Sequence, residues 1–240
     1  MTTTATTTPS ATTATTPGSR SADRLRPDPD FWDGLAEGYA AKPVDDPEAF
    51  ERKIALARAR IREDDLVLNI GCGTGSLSLR LADTGARLHG LDLSPEMIRI
   101  ARAKVADAGV SNVEMHVGPF DETFDRFAEG TLDVVMGWSI LHLLPKRTDA
   151  IAQMFRLLKP GGQLITSTVC LANSFMPLNA LVALMRMFGK APWVGSLSTE
   201  DLMEELQDAG FVDVSLHDVG AERTVAFITA VRPPLADDDP

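Results

Sequence analysis

From residue 66 onward the chain alternates short aliphatic runs with helix-patterned runs, and this alternation restricts the folds open to it more than any other feature. The apolar runs at 66–70, 87–91, 113–117, 132–137, 162–168, 212–217 and 224–230 predict seven strands. Helical spacing between them predicts helices at 76–82, 95–108 and 148–158, the last stopped by Pro160 and Gly161. Strands that regularly alternate with helices form a mostly parallel sheet with helices on both faces. The last two strands are separated only by a short turn region around Gly220, which predicts an antiparallel hairpin at the sheet edge.

A chain of 240 residues suits one well-buried α/β domain and is short for two. That domain is expected over 27–232, between a disordered Thr-rich tail (1–26) and an acidic tail (233–240). Residues 1–19 contain no apolar run of the kind a secretory signal needs. Ahead of the sheet, 30–41 reads as a short helix carrying Phe31, Trp32, Leu35 and Tyr39. The stretch 48–62 reads as a second helix, and together the two (30–62) are expected to form a lid. Between the fifth strand and a helix starting near Thr199, residues 171–197 are too many for a simple connection. Leu178, Leu181, Val182 and Met185 share one helical face there, with Phe175, Met176, Leu184, Met187, Phe188 and Trp193 nearby, so this insertion is expected to cap an apolar acceptor. The same surface would alternatively serve as a homodimer contact.

Charge narrows the partners. The net charge is −11; Arg20, Arg24 and Arg26 against Asp23 give residues 1–26 a charge of +2, leaving −13 on the remainder. Nothing resembles the basic stripe that grips a phosphate backbone, so no nucleic acid partner is expected. There is no uninterrupted apolar run of about 18 residues, hence no membrane span. Only two cysteines are present, Cys72 and Cys170, which points to a reducing, cytoplasmic setting without disulfides.

The first strand runs directly into Gly71-Cys72-Gly73-Thr74-Gly75 and then into a helix. Open α/β sheets bind ligands at this carboxyl end of a strand, where glycine lets a ligand lie directly on the main chain. The dinucleotide fingerprint G-x-G-x-x-G/A fails from either starting glycine, because the sixth place is Ser76 or Ser78. Asp92 ends the second strand, where a carboxylate can accept hydrogen bonds from both hydroxyls of an adenosine ribose.

Four ordered segments, VLNIGCGTGSLSLRLA, LHGLDLSPEMIRIARAKV, LDVVMGWSILHLL and LLKPGGQLITST, together resemble the class I S-adenosylmethionine-dependent methyltransferases of the small-molecule, ubiquinone- and menaquinone-biosynthesis-like type. The resemblance covers about Phe31 to Val231 and implies a Rossmann-like seven-stranded sheet. It also implies that Gly71, Cys72, Gly73, Thr74 and Gly75 line the methionine and ribose portion of S-adenosyl-L-methionine, that Asp92 holds the ribose, and that Leu93 and Met97 pack beside the adenine. Gly137 and Trp138 would approach the methionine end. Two positions depart from the family pattern. Asn69 stands where relatives carry an acid, and Gly118-Pro119-Phe120 replaces a Gly-Asp-Ala loop, leaving the adenine to Pro119, Phe120, main-chain atoms, or Asp121 or Glu122.

The sulfonium of such a cofactor is an activated methyl donor, so transfer needs a nucleophile in line at about 3 Å more than it needs acid-base machinery. An oxygen or carbon nucleophile usually also needs its proton removed. His142, just beyond the fourth strand where the resemblance places the acceptor, is the candidate base; His89, His116 and His217 fall within strands and read as structural. Tyr39, the only tyrosine, is the candidate residue of a lid touching donor and acceptor. Cys72 reads as loop packing, and no H-E-x-x-H, cysteine cluster or carboxylate pair suggests a metal. GWSI replaces the Asn/Asp-Pro-Pro-aromatic motif of nucleic-acid amino methyltransferases. The expected activity is methylation of a small apolar or aromatic molecule at O, N or C. The alternative is a methyltransferase-like partner or sensor that binds the cofactor without transferring the methyl.

Overall fold

The computed structural model describes residues 28–174 and 193–235. Seven strands, β1 (Leu66–Ile70), β2 (Arg87–Asp92), β3 (Val113–Val117), β4 (Leu132–Trp138), β5 (Leu158–Val169), β6 (Val212–His217) and β7 (Val225–Val231), form one sheet ordered β3-β2-β1-β4-β5-β7-β6. The first five are parallel, and β7 is antiparallel to both β5 and β6. The expected Rossmann-like sheet with its terminal hairpin is therefore present. The strand order reverses between β1 and β4, and a crevice at that switch point is where such sheets take ligands.

The central strands read as unbroken apolar runs because helices cover both faces. On one face α2 (Pro47–Arg58), α3 (Ser76–Leu81) and α4 (Pro95–Ala108) bury Ile54, Ala57, Leu77, Leu81, Ile98 and Ala101 against Val67, Leu88, Val134, Met136, Ile165 and Phe227. On the other, α5 (Arg147–Leu157) and α6 (Thr199–Asp208) bury Ile151, Met154, Leu202 and Leu206 against Leu68, Ile70, Val135, Leu164 and Ile228. Helix α1 (Pro29–Ala41) lies along α4, with Ala36 packed on Met97 and Ile100.

Three elements differ from the sequence reading. The second helix ends at Arg58, not 62, and it belongs to the core: Ile54 and Ala57 are buried in it, and Arg52 donates to the Val219 carbonyl beyond β6. Within the stretch 30–62 expected to form a lid, this second helix thus packs on the sheet, while α1 lies along α4. Strand β5 starts at Leu158 rather than 162, because Leu158 pairs with Leu132 before a register shift and Gly161 bonds to the Arg232 carbonyl. The preceding helix accordingly stops at Leu157, its cap residue already extended. Most of the insertion, 175–192 with Phe175, Met176, Leu178, Leu181, Val182, Leu184, Met185, Met187 and Phe188, lies outside the described residues, as do 1–27 and 236–240. Among the described residues no helix is long and apolar enough to cross a membrane.

Candidate functional site

Gly71, Gly73 and Gly75 all adopt left-handed φ angles, 68°, 53° and 75°, which side-chain-bearing residues rarely take. Two of the three are also walled in. A Cβ on Gly71 would lie 2.9 Å from Ile140, and one on Gly75 would lie 2.9 Å from the Ala101 Cβ. Gly73 faces open space except for Tyr39, whose ring would be 3.6 Å from such a Cβ. The loop is anchored to β2 by the Gly71 and Cys72 N–H groups, which donate to the Leu91 carbonyl at 2.8 and 3.0 Å.

Asp92 holds the loop from the other side. Its Oδ2 accepts from the Gly73 N–H at 2.8 Å and its Oδ1 from the Ser94 N–H at 3.0 Å. Burial pushes the carboxyl pKa up, the Ser94 and Gly73 N–H bonds pull it down, and the charge of Asp33 adds a further upward push. A carboxylate can accept more bonds than these, so the group can still receive a ribose hydroxyl.

Helix α1 roofs this corner. Asp33 accepts from the Ser94 hydroxyl and, at 3.1 Å, from the Glu96 N–H, while Glu37 pairs with Arg99, so α1 is pinned to the first turn of α4. Met97, 2% exposed, packs with Ala36 and Ile100 against Trp32 and so helps seat the roof. Tyr39, over Gly73, stays 54% exposed; partial removal from water and, secondly, the charge of Asp92 raise its phenol pKa. Truncation to alanine would therefore take little from the core. Tyr39→Ala is expected to lower turnover clearly beyond any change in melting temperature, with Tyr39→Phe intermediate. Turnover per folded molecule that is unchanged in both variants would show that α1 is docked for packing alone.

The carboxyl end of β4 supplies the opposite wall. Gly137 is buried against Ile140, and Ser139 takes a positive φ of 57°, turning the chain sharply into the short 3-10 helix Leu141–Leu143. Trp138 packs edge-on to Phe50 and Phe227. Its Nε1 and the Nδ1 of His142 are the two buried side-chain polar atoms without a hydrogen-bond partner among the described residues. Buried polar atoms normally find partners, so each of these two unpaired atoms is a place where a ligand group could bond. Burial pushes the His142 pKa down to about 4, which keeps the imidazole neutral across the physiological range. The His142 carbonyl accepts from the Gly195 N–H at 2.8 Å, so the chain that leaves the insertion returns onto this histidine.

That depressed pKa links to stability. Between about pH 6.5 and 4 an unfolded His142 binds a proton that the folded one does not, so stability falls as the pH drops through this window, by about 3 kcal/mol. Thermal unfolding across that range should therefore be flatter in His142→Asn than in the parent. His89, His116 and His217 remain in both proteins, so the difference isolates His142; parallel curves would contradict its buried, neutral state.

Other residues expected at the site have different company. The Asn69 amide donates to the Ser78 hydroxyl at 3.2 Å and is 2% exposed, pinning β1 to α3. The Thr74 hydroxyl accepts from Lys104. The Cys72 sulfur sits 4.0 Å from that of Met115, and burial pushes its thiol pKa far up, so it is loop packing and no nucleophile. Leu93 is half-buried, Pro119 is exposed, and Phe120 packs on Phe124 at 5.3 Å between ring centres. Sequence reading missed Asp33 and Ser94. Ser94 could have been found as a helix cap before Pro95, whereas nothing local marks an aspartate on a helix flank as a tether.

Residues 67–162 match the family model described as a methyltransferase domain. Over 195 residues the chain is 32% identical to a demethylmenaquinone methyltransferase of Listeria welshimeri, an alignment covering 72% of this chain and 82% of that enzyme. Over 103 residues it is 37% identical to a ubiquinone biosynthesis O-methyltransferase of Erwinia tasmaniensis, covering 43% of this chain and 42% of that enzyme; the chain thus spans under half the length of that relative. Among solved structures, the Haemonchus contortus phosphoethanolamine N-methyltransferase 2 in complex with S-adenosyl-L-methionine superposes with a TM-score of 0.65 at 16% identity, covering 84% of this chain and 56% of that one. At that identity the likeness is one of fold.

Proposed function

The chain belongs to the class I S-adenosylmethionine-dependent methyltransferases, and from that membership we propose that it transfers the methyl group to a hydroxyl oxygen of a small, apolar aromatic acceptor. The observation that carries the choice of oxygen is the unpaired Nδ1 of a neutral, buried His142 in the 3-10 turn just beyond β4. The names of two curated relatives, a ubiquinone biosynthesis O-methyltransferase and a demethylmenaquinone methyltransferase, support a quinone-related acceptor, and the first supports oxygen.

The residues present fit the cofactor. Three glycines without a Cβ line the loop, and Asp92 can accept a further bond from a ribose hydroxyl. S-adenosylmethionine, when bound, supplies the methyl as an activated sulfonium group. The chain's own part is to bind, orient and exclude water. The loop amides and Asp92 would hold the ribose and methionine portion. The Trp138 Nε1–H would donate to whatever polar group arrives at the β4 wall, and Tyr39 would close over Gly73. His142 would accept the hydroxyl proton at Nδ1 as the oxygen becomes nucleophilic. The insertion 171–197 would cover the acceptor. No nucleic acid partner is expected from a chain of net charge −11, and two buried free thiols suit a reducing, cytoplasmic setting.

A panel of phenols, catechols, aromatic amines and thiols, each incubated with methyl-labelled cofactor, tests this reading. The expected result is label on the hydroxyl compounds and none on the matched amines. Transfer confined to amines or thiols would refute the oxygen acceptor and with it the role given to His142.

A further inference from the structure

Strands β2 and β3 bring together three metal-ligating side chains that lie far apart in sequence. His89 is directly opposite Glu114 in the parallel register, and His116 follows two residues later, so all three project from the same face of the sheet. One ligand atom from each lies within 4.8 Å of the others. His89 Nδ1 and His116 Nε2 are 3.0 Å apart; the Glu114 carboxylate is 3.7 Å from Nδ1 of His89 through Oε2 and 3.7 Å from Nδ1 of His116 through Oε1. We propose that His89, Glu114 and His116 form a binding site for a divalent transition-metal cation of the zinc class, separate from the methyl-transfer crevice.

Two imidazoles with one carboxylate are the donor set of borderline cations, whereas magnesium and calcium take mostly oxygen ligands. The site is half-open: His116 is 5% exposed on its side chain and His89 18%, but Glu114 is 66% exposed, leaving room for water to complete the coordination. Without a metal the two rings, whose planes lie 10° apart, share a single N–H···N bond. A cation would replace that bond once the donor ring moves its proton to its other nitrogen and the rings tilt, with no net proton release. Burial lowers the pKa of both imidazoles, so both lone pairs are available at neutral pH. Glu114 supplies the one nearby negative charge among the groups acting on these rings, and Arg126, Arg87 and Arg102 oppose a cation.

Bound there, a cation would tie edge strand β3 to β2 and, through Phe127 stacked edge-on against His89 at 5.1 Å, would steady the segment between β3 and β4. Its effect should fall on stability rather than on methyl transfer.

The test uses the full chain without an affinity tag, stripped with chelator and titrated with zinc and cobalt chlorides. One equivalent of zinc should bind and raise the melting temperature by several degrees, with magnesium inert. Cobalt should perturb the imidazole resonances of His89 and His116 and spare those of His142 and His217. Glu114→Gln, a change at an exposed position, should weaken zinc about 10- to 100-fold or more, and Arg126→Ala should tighten it. The double variant His89→Gln/His116→Gln, with its fold checked by circular dichroism, should not bind at all. Absence of saturable one-to-one binding, cobalt effects on His142 instead, or binding indifferent to Glu114→Gln would each overturn the proposal.

Discussion

Replacing Asp92 by alanine is expected to weaken S-adenosylhomocysteine binding by about 2–4 kcal/mol, roughly 30- to 700-fold, while the protein stays folded. Two losses add. The carboxylate no longer receives the ribose diol, and the Gly73 N–H, which it holds at 2.8 Å, loses its partner, so the loop is no longer set in its left-handed turn before the ligand arrives. The fold should survive because Asp92 is only half-buried and Ser94 still caps α4 through the Met97 N–H. Asp92→Asn should be intermediate, because its one amide oxygen can accept from the Gly73 N–H but its NH2 then faces the Ser94 N–H and the charge is gone. Calorimetry that finds unchanged affinity in the alanine variant would remove Asp92 from the site.

The second large effect belongs to His142. His142→Ala should lower kcat about 10²- to 10⁴-fold on a hydroxyl acceptor, with the KM for the methyl donor nearly unchanged. The imidazole makes no side-chain hydrogen bond through Nδ1 among the described residues, so its removal leaves no stranded partner there. With a pKa near 4 it is neutral at every pH at which the enzyme would be assayed but a weak base, which puts the expected effect at the lower end of that range. A wall residue would lose turnover at all pH values alike. A base should be partly replaced by hydroxide, so the defect of the alanine variant should shrink as the pH approaches the pKa of the acceptor hydroxyl. A pH-independent defect, or none, would assign His142 to packing.

What could be read in the residues was what local patterning dictates. The glycine loop, Asp92 at the end of β2, the mostly parallel sheet implied by β-α alternation and the closing hairpin each depend on neighbours in sequence, and each is in the fold. The features that escaped are those created by contacts between distant segments. The hydrogen bond from the Asn69 amide to the Ser78 hydroxyl is one of them. The packing of Met97 under Ala36 of α1 joins segments about sixty residues apart, which no local pattern shows. The second helix was taken for a cover, although Ile54 and Ala57 give it an apolar stripe that the sheet face satisfies. The His89, Glu114 and His116 group has no linear signature, because its ligands come from two strands whose register alone brings them together.

The most direct measurement is the stoichiometry of transfer: methyl-labelled S-adenosylmethionine, the purified full chain and the aromatic hydroxyl panel, with labelled product and S-adenosylhomocysteine quantified together. The account predicts equal amounts of the two, rising with time over many turnovers and abolished with heat-denatured protein. Tight cofactor binding with neither product nor S-adenosylhomocysteine from any acceptor would contradict it and leave the chain a binder that does not transfer.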